Sequence, residues 1–248
     1  MKGENKLGFL SGFTLKILAC VFMACDHIGV RLFPGDELYV SIGRLAFPIF
    51  CFFIAEGCHY TKNKLKRFLI IFLMGEAFTL VYYLYTGTVY VTVFTTFAYS
   101  ILLIYLMDFL KKWAFSDRKS YKVIISSLIF LAVVVTNNFV TSSSIISYGF
   151  FGVMLPVFVA LFDFGELDAG ALCRLDCFFV RVIMLFIGTL LLAIYGGEPL
   201  RQYYSLLAIP IVALYNGKIG FKKMKYFFYV FFPLHLVIIE AVALLLSK

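Results

Sequence analysis

Apolar residues fill this chain in about nine successive blocks, each close to the length that crosses a lipid bilayer. They cover roughly 13–33, 39–58, 65–86, 89–110, 121–140, 144–163, 175–195, 200–216 and 226–247; a spanning α-helix needs about 20 such residues. Inside lipid the backbone has no water to bond. A crossing segment must satisfy its own N–H and C=O groups, and a helix does so within one segment. The blocks therefore predict an all-α, polytopic integral membrane protein with about nine transmembrane helices. The connections between blocks are short, so residues 1–248 are expected to form a single transmembrane domain. Composition agrees. Hydrophobic residues make up 62% of the chain and charged residues 15%, where a soluble domain carries about 45–50% and about 25%.

The eighth block is the shortest and contains Pro210, while Pro48 and Pro156 fall in the second and sixth. Proline removes a backbone donor, which makes these helices candidates for a break or a tilt. The first block is too long for the apolar core of a signal peptide. No small-residue cleavage site follows it, only the turn residues 33–37, so no cleaved leader is expected.

Lysine and arginine in the connections set orientation. Lys2 and Lys6 precede the first block, and Lys62, Lys64, Lys66 and Arg67 follow the second. Lys111, Lys112, Arg118, Lys119 and Lys122 follow the fourth, Arg174 the sixth, and Lys218, Lys222, Lys223 and Lys225 the eighth. The opposite connections hold only Arg31 and Arg201, with Lys248 at the end. This alternation predicts a cytoplasmic N-terminus and an external C-terminus. The net charge of +8 is thus a topology signal. No basic stripe or nucleic-acid fold pattern accompanies it, so nucleic acid is not an expected partner. The six cysteines are scattered at 20, 25, 51, 58, 173 and 177 in no metal-ligand spacing. They read as small buried hydrophobes, and no metal is expected.

An ionisable side chain inside a spanning helix costs at least a few kcal/mol and marks function unless a partner offsets it. The candidates are Asp26, His27, Arg44, Glu56, Glu76, Arg181, His235 and Glu240. The predicted topology puts Asp26, His27 and Arg44 in the outer third of the membrane. Glu76 and His235 fall near its midplane, and Glu240 somewhat further out. Glu56 and His59 lie one turn apart near the cytoplasmic end of the second helix. The tight turn after the first block brings the outer ends of the first two helices together. Asp26 and Arg44 read either as an internal ion pair that fixes these helices or as part of a reactive site. His27 and His235 read either as satisfied structural histidines or as a general base or acyl acceptor. Adjacent residues on a helix point about 100° apart, so Asp26 cannot orient the His27 ring and an orienting partner must come from another helix. His235 and Glu240, five residues apart, are expected on different faces.

Several longer stretches carry a family resemblance. The first helix ends DHIGVRLFP, and the second reads IGRLAFPIFCFFIAEG. Later come SYGFFGVMLPV (147–157) and LYNGKIGFKKMKYFFYVFFPLHL (214–236). The chain resembles the TraX family of bacterial membrane proteins, densely over about 14–75 and 205–240. That family is linked to N-terminal acetylation of conjugative pilin. It is distantly similar to a superfamily of membrane acyltransferases that includes O-acetylases of surface glycans and uses acetyl-CoA as donor. The resemblance implies a multi-pass protein of the bacterial cytoplasmic (inner) membrane. Its reaction would move an acetyl group from cytoplasmic acetyl-CoA to an amine, on a peptide or pilin-like N-terminus, or to a hydroxyl, near the outer face. Ser147 stands where the family pattern has an acidic residue before Tyr148 and Gly149, so no role is carried to that position.

The residues suit that chemistry. Acetyl transfer needs a base near the acceptor, a group facing the thioester oxygen and a place for the coenzyme's phosphates. His27 and His235 are expected to supply the base, with Asp26 beside them, and Arg44 to face the developing oxyanion. Lys66, Arg67, Lys222, Lys223 and Lys225 are expected to hold the phosphates of acetyl-CoA, or else to serve only as topology signals. The alternatives are a transporter, in which intramembrane His, Asp and Arg relay protons, and a non-catalytic scaffold for pilus or secretion assembly.

Overall fold

The computed structural model describes residues 8–89, 91–117, 119–143, 147–197, 199–221 and 227–246. Among these the chain is helical and has no strands. The helices are α1 (Gly12–Leu32), α2 (Glu37–Gly43), α3 (Ala46–Tyr60), α4 (Lys64–Thr86), α5 (Val93–Ala114) and α6 (Ser120–Ser143). They are followed by α7 (Gly149–Ala160), α8 (Phe178–Tyr195), α9 (Pro199–Gln202), α10 (Ala208–Ala213) and α11 (Phe227–Leu246). Six spans are long and apolar enough to cross a membrane: α1, Glu37–Tyr60, α4, α5, Ser120–Thr141 and α8. Two further apolar helices, Gly149–Ala160 and Val230–Leu246, are shorter.

Prolines and glycines account for the irregularities. The second block divides into α2 and α3 at Arg44 and Leu45. Pro48 has no N–H to offer the carbonyl of Arg44 four residues back, so the helical ladder stops there. The eighth block is broken further, into α9, a 3₁₀ turn at Tyr203–Leu207 and α10, which contains Pro210. The caps are regular. Asp36 accepts from the Leu38 N–H at 3.0 Å and Asn63 from the Lys66 N–H at 2.9 Å, which satisfies donors that a helix start leaves open. Gly87, at φ 71°, closes α4 in the left-handed region.

The chain forms two compact units. One consists of the described residues up to Phe50 together with those from Leu185 onward; the other is Cys51–Met184. In the first unit α1 packs against α2 and α11. Its N-terminal turn is held by the 214–220 segment: Gly12 and Phe13 donate to the carbonyls of Lys218 and Ile219 at 2.8 and 2.9 Å. Leu10 and Tyr215 form a parallel bridge beside them. The Y-N-G-K-I-G stretch therefore takes up the open donors of a helix start.

In the second unit α5 packs against α4, α6 and α7. Ser147 has a positional reason. Its hydroxyl donates to the Val91 carbonyl at 2.5 Å, and its own carbonyl accepts from Thr96 at 2.9 Å; an ionised carboxylate has no proton for the first bond. Helices α4 and α6 leave rows of large apolar residues exposed, among them Leu73, Leu80 and Leu84, and Ile124, Leu128 and Leu131. Such faces are out of place in water and at home against acyl chains. The chain is a multi-pass membrane protein.

Candidate functional site

The first unit gathers the intramembrane histidines. His27 on α1 and His235 on α11 come from opposite ends of the chain, yet their ring centroids are 5.2 Å apart. His235 is almost fully buried, with 6% of its surface exposed. The Phe231 ring stacks on it at 4.9 Å, and Phe232 meets it edge-on at 5.6 Å. Its Nδ1 lies 2.9 Å from the Phe231 carbonyl. A carbonyl only accepts, so Nδ1 carries the proton, and in the neutral ring Nε2 is the lone-pair nitrogen. That Nε2 is buried with no hydrogen-bond partner among the described residues. The His235 ring is thus oriented by a backbone carbonyl one turn back on its own helix.

Arg44 and Asp26 stand beside this pair. Arg44 Nε is 3.8 Å from Asp26 Oδ1, and both side chains are largely shielded. Two glycines permit the approach. A Cβ on Gly43 would fall 2.6 Å from the Asp26 Cα, and one on Gly29 would fall 2.6 Å from the Tyr39 Cβ. Real carbon atoms do not meet that closely, so α1 and α2 can touch here only where one side lacks a side chain. Phe33 and Tyr39 stack at 5.2 Å across the turn. A cleft of about 220 Å³ opens beside it, lined by Gly29, Asp36, Glu37, Val40 and Arg201 among others.

Glu240 makes a contact of its own, apart from His235. It takes a two-pronged bond from Arg31, whose Nε and terminal NH2 reach its two oxygens at 2.6 and 2.5 Å. His235 and Glu240 therefore both engage α1, although they sit on different faces of α11. The length of the Arg31 side chain closes that gap. Arg31, read from sequence as a loop charge, belongs to the last turn of α1.

The second unit holds a cluster that spacing could not foretell. His59 Nδ1 bonds Asp163 at 2.8 Å, and Arg181 lies 3.4 Å from Asp163 and 2.9 Å from Asp176. Lys111 donates to the carbonyls of Ala160 and Asp163. Asp163 lies past the end of α7. Burial pushes its carboxyl up, but the His59 hydrogen bond and the Arg181 guanidinium outweigh that and hold it below the usual carboxylate range. Glu56 is buried and Glu76 lies exposed on α4.

The expected phosphate ligands are placed unequally. Lys66 is exposed on α4. Arg67 turns inward, donating to the Ile54 carbonyl at 3.2 Å, with its guanidinium in the space left by Gly57. Lys222, Lys223 and Lys225 lie outside the described residues. Among the described residues no group of three or more His, Cys, Asp or Glu side chains is arranged to hold a metal ion.

The chain is 40% identical over 63 residues to an uncharacterized protein of Rickettsia prowazekii (strain Madrid E). It is 38% identical over 61 residues to the "Probable fimbrial assembly protein FimC, serogroup H1" of Dichelobacter nodosus. These matches span 25% and 23% of this chain, and only 24% and 25% of the two relatives. No solved structure matches. The family described as "TraX protein" matches residues 11–243, nearly the whole described length, and the chain belongs to the TraX family.

Proposed function

We propose that this protein is an acetyl-CoA-dependent acetyltransferase of the bacterial inner membrane that acetylates an amine or hydroxyl near the outer face. The observation that carries the reading is the buried, acceptor-only Nε2 of His235 beside the His27 ring. Most buried polar side-chain atoms have a hydrogen-bond partner, and this nitrogen has none among the described residues, which suits a base that awaits the acceptor's proton. The fimbrial assembly relative favours a pilin-like N-terminus as acceptor, and the family resemblance favours acetyl-CoA as donor.

The chemistry then runs on this chain's own groups. A neutral amine attacks the thioester carbonyl carbon while His235 Nε2 takes its proton. The charge that develops on the carbonyl oxygen faces the Arg44 guanidinium, which Asp26 orients. Collapse breaks the C–S bond, and the departing CoA thiolate recovers the proton from the imidazolium. His27 stands beside this base, its ring 5.2 Å from that of His235. The CoA phosphates fall to the basic connections that the charge pattern assigns to the cytoplasm, where Lys66 is exposed while Arg67 is turned inward.

The test uses the full chain in detergent, acetyl-CoA labelled in the acetyl group, and peptides bearing a free N-terminus or a hydroxyl. Label in the peptide that depends on His235 supports the reading. Specific flux of a solute through liposomes without any transfer would move the assignment to a transporter.

A further inference from the structure

The exposed faces of α4 and α6 differ in one residue. On α6 the row Ile124, Leu128, Leu131 and Val135 is apolar throughout, as a surface against acyl chains should be. On α4 the corresponding row is Leu69, Leu73, Leu80 and Tyr83, and Glu76 stands exposed in its midst, near the middle of the helix. A carboxyl at that depth is costly, and such groups normally face the interior of a bundle. Glu76 does not. Its neighbour Gly75 is the residue that meets α5: a Cβ there would fall 2.7 Å from Thr95 Oγ1, and adjacent residues on a helix point about 100° apart. Glu76 forms no hydrogen bond or ion pair among the described residues. One turn to either side on α4 stand Phe72, Leu73, Thr79 and Leu80, none of which carries a charge.

The spacing of the row says what kind of surface covers it. Leu69, Leu73, Glu76, Leu80 and Tyr83 follow one another in alternating steps of four and three residues. They keep to a stripe about 80° wide. That is the seam of a left-handed helix pair, a geometry common between membrane helices. One polar position in such a seam fixes the register and the number of partners. The chemistry of that position favours a second copy. Two copies of one chain insert the same way round, because the loop charges that orient one orient the other. A two-fold axis along the membrane normal then sets two α4 helices parallel and brings Glu76 opposite Glu76 at equal depth. A carboxyl in its acid form both donates and accepts, so two of them satisfy each other.

We propose that this face of α4 is a parallel homodimer interface. Leu69, Leu73, Leu80 and Tyr83 interlock with the same residues of a second copy, and the two Glu76 carboxyls hydrogen-bond to each other across the two-fold axis. The apolar layers supply the packing. The carboxyl pair sets the register, since sliding one helix along the other leaves both groups without a partner in lipid. The interface is independent of the acetyl-transfer reading.

The experiment reconstitutes the full chain, with one fluorophore per copy, in lipid bilayers at low protein density and counts copies per complex by photobleaching. The wild type is expected in pairs. Glu76→Leu is expected to weaken association about tenfold, the scale of a hydrogen bond between membrane helices. Glu76→Gln keeps the pairs, because an amide also donates and accepts. A second measurement leaves Glu76 in place. No native cysteine lies on α4, so Leu73→Cys and Leu80→Cys are each expected to give a disulfide-linked species of twice the mass when membranes are oxidised. Leu128→Cys, on the uninterrupted apolar row of α6, is expected to give none. Single copies of the wild type overturn the proposal, as do undiminished pairs in Glu76→Leu or equal cross-linking through Leu128→Cys. Loss of pairs in Glu76→Gln as complete as in Glu76→Leu overturns the carboxyl pairing and assigns Glu76 to a cationic partner.

Discussion

His27 and His235 face each other at 5.2 Å between ring centroids, one on α1 and the other on α11, with the His235 Nδ1 proton committed to the Phe231 carbonyl. The pair is built from the two ends of the chain, so it exists only when α1 and α11 are docked. Its members differ: His235 is buried and tautomer-fixed, while His27 is partly exposed. In the proposed reaction the base role therefore falls first on His235.

His235→Ala is expected to lower kcat for acetyl transfer by about a hundred- to ten-thousand-fold, the usual worth of a general base. His27→Ala is expected to lower it as well, with insertion and acetyl-CoA binding retained in both. Turnover of purified variants, beside donor binding by calorimetry, checks this. Full activity in both variants would send the search to Glu56 and the His59 cluster.

Arg44→Lys is expected to cut acetyl transfer more than it cuts melting temperature. Arginine presents a planar fork whose geometry lysine lacks, while lysine keeps the charge near Asp26. Parallel loss of activity and stability would reduce Arg44 to a packing partner of Asp26.

Gly43→Ala tests the α1–α2 contact. Its Cβ would sit 2.6 Å from the Asp26 Cα, where backbone and not a flexible side chain must yield. A loss of about 1–3 kcal/mol is expected, typical of an overpacked contact. A thermal or denaturant shift in detergent measures it, and an unchanged midpoint would mean that the helices separate at no cost.

Acidification should loosen the second unit through Asp163. Its carboxyl is held below the usual carboxylate range. The stabilisation this brings is therefore fully present above the unfolded value of about 4 and is lost as pH falls through the folded value. Melting temperatures of the wild type are expected to drop across that acid window, and those of Asp163→Asn to lack this component. Identical acid profiles would show that the carboxylate contributes nothing.

Reporters fused after Lys66 or Lys119 are expected to score cytoplasmic, and those after Gly87 or Asn138 external. Gly87 and Lys119 scoring on one side would break the helix order between them.

Helix class, membrane insertion and family were all legible in the order of residues. They depend on local quantities, runs of apolar side chains and contiguous motifs, which need no knowledge of what lies nearby. The weak points were legible in part: Pro48 and Pro210 fall in the two blocks that are broken, whereas Pro156 lies inside an unbroken α7. The closeness of Asp26 to Arg44 also followed from local information, because a short turn joins their helices. The remaining contacts belong to tertiary structure. The His59–Asp163 bond, the Arg31–Glu240 fork and the meeting of His27 with His235 each join residues far apart in sequence. No periodicity records which helix docks on which. Angular spacing put His235 and Glu240 on different faces of α11, but only the docked structure shows that the long Arg31 side chain is what reaches Glu240.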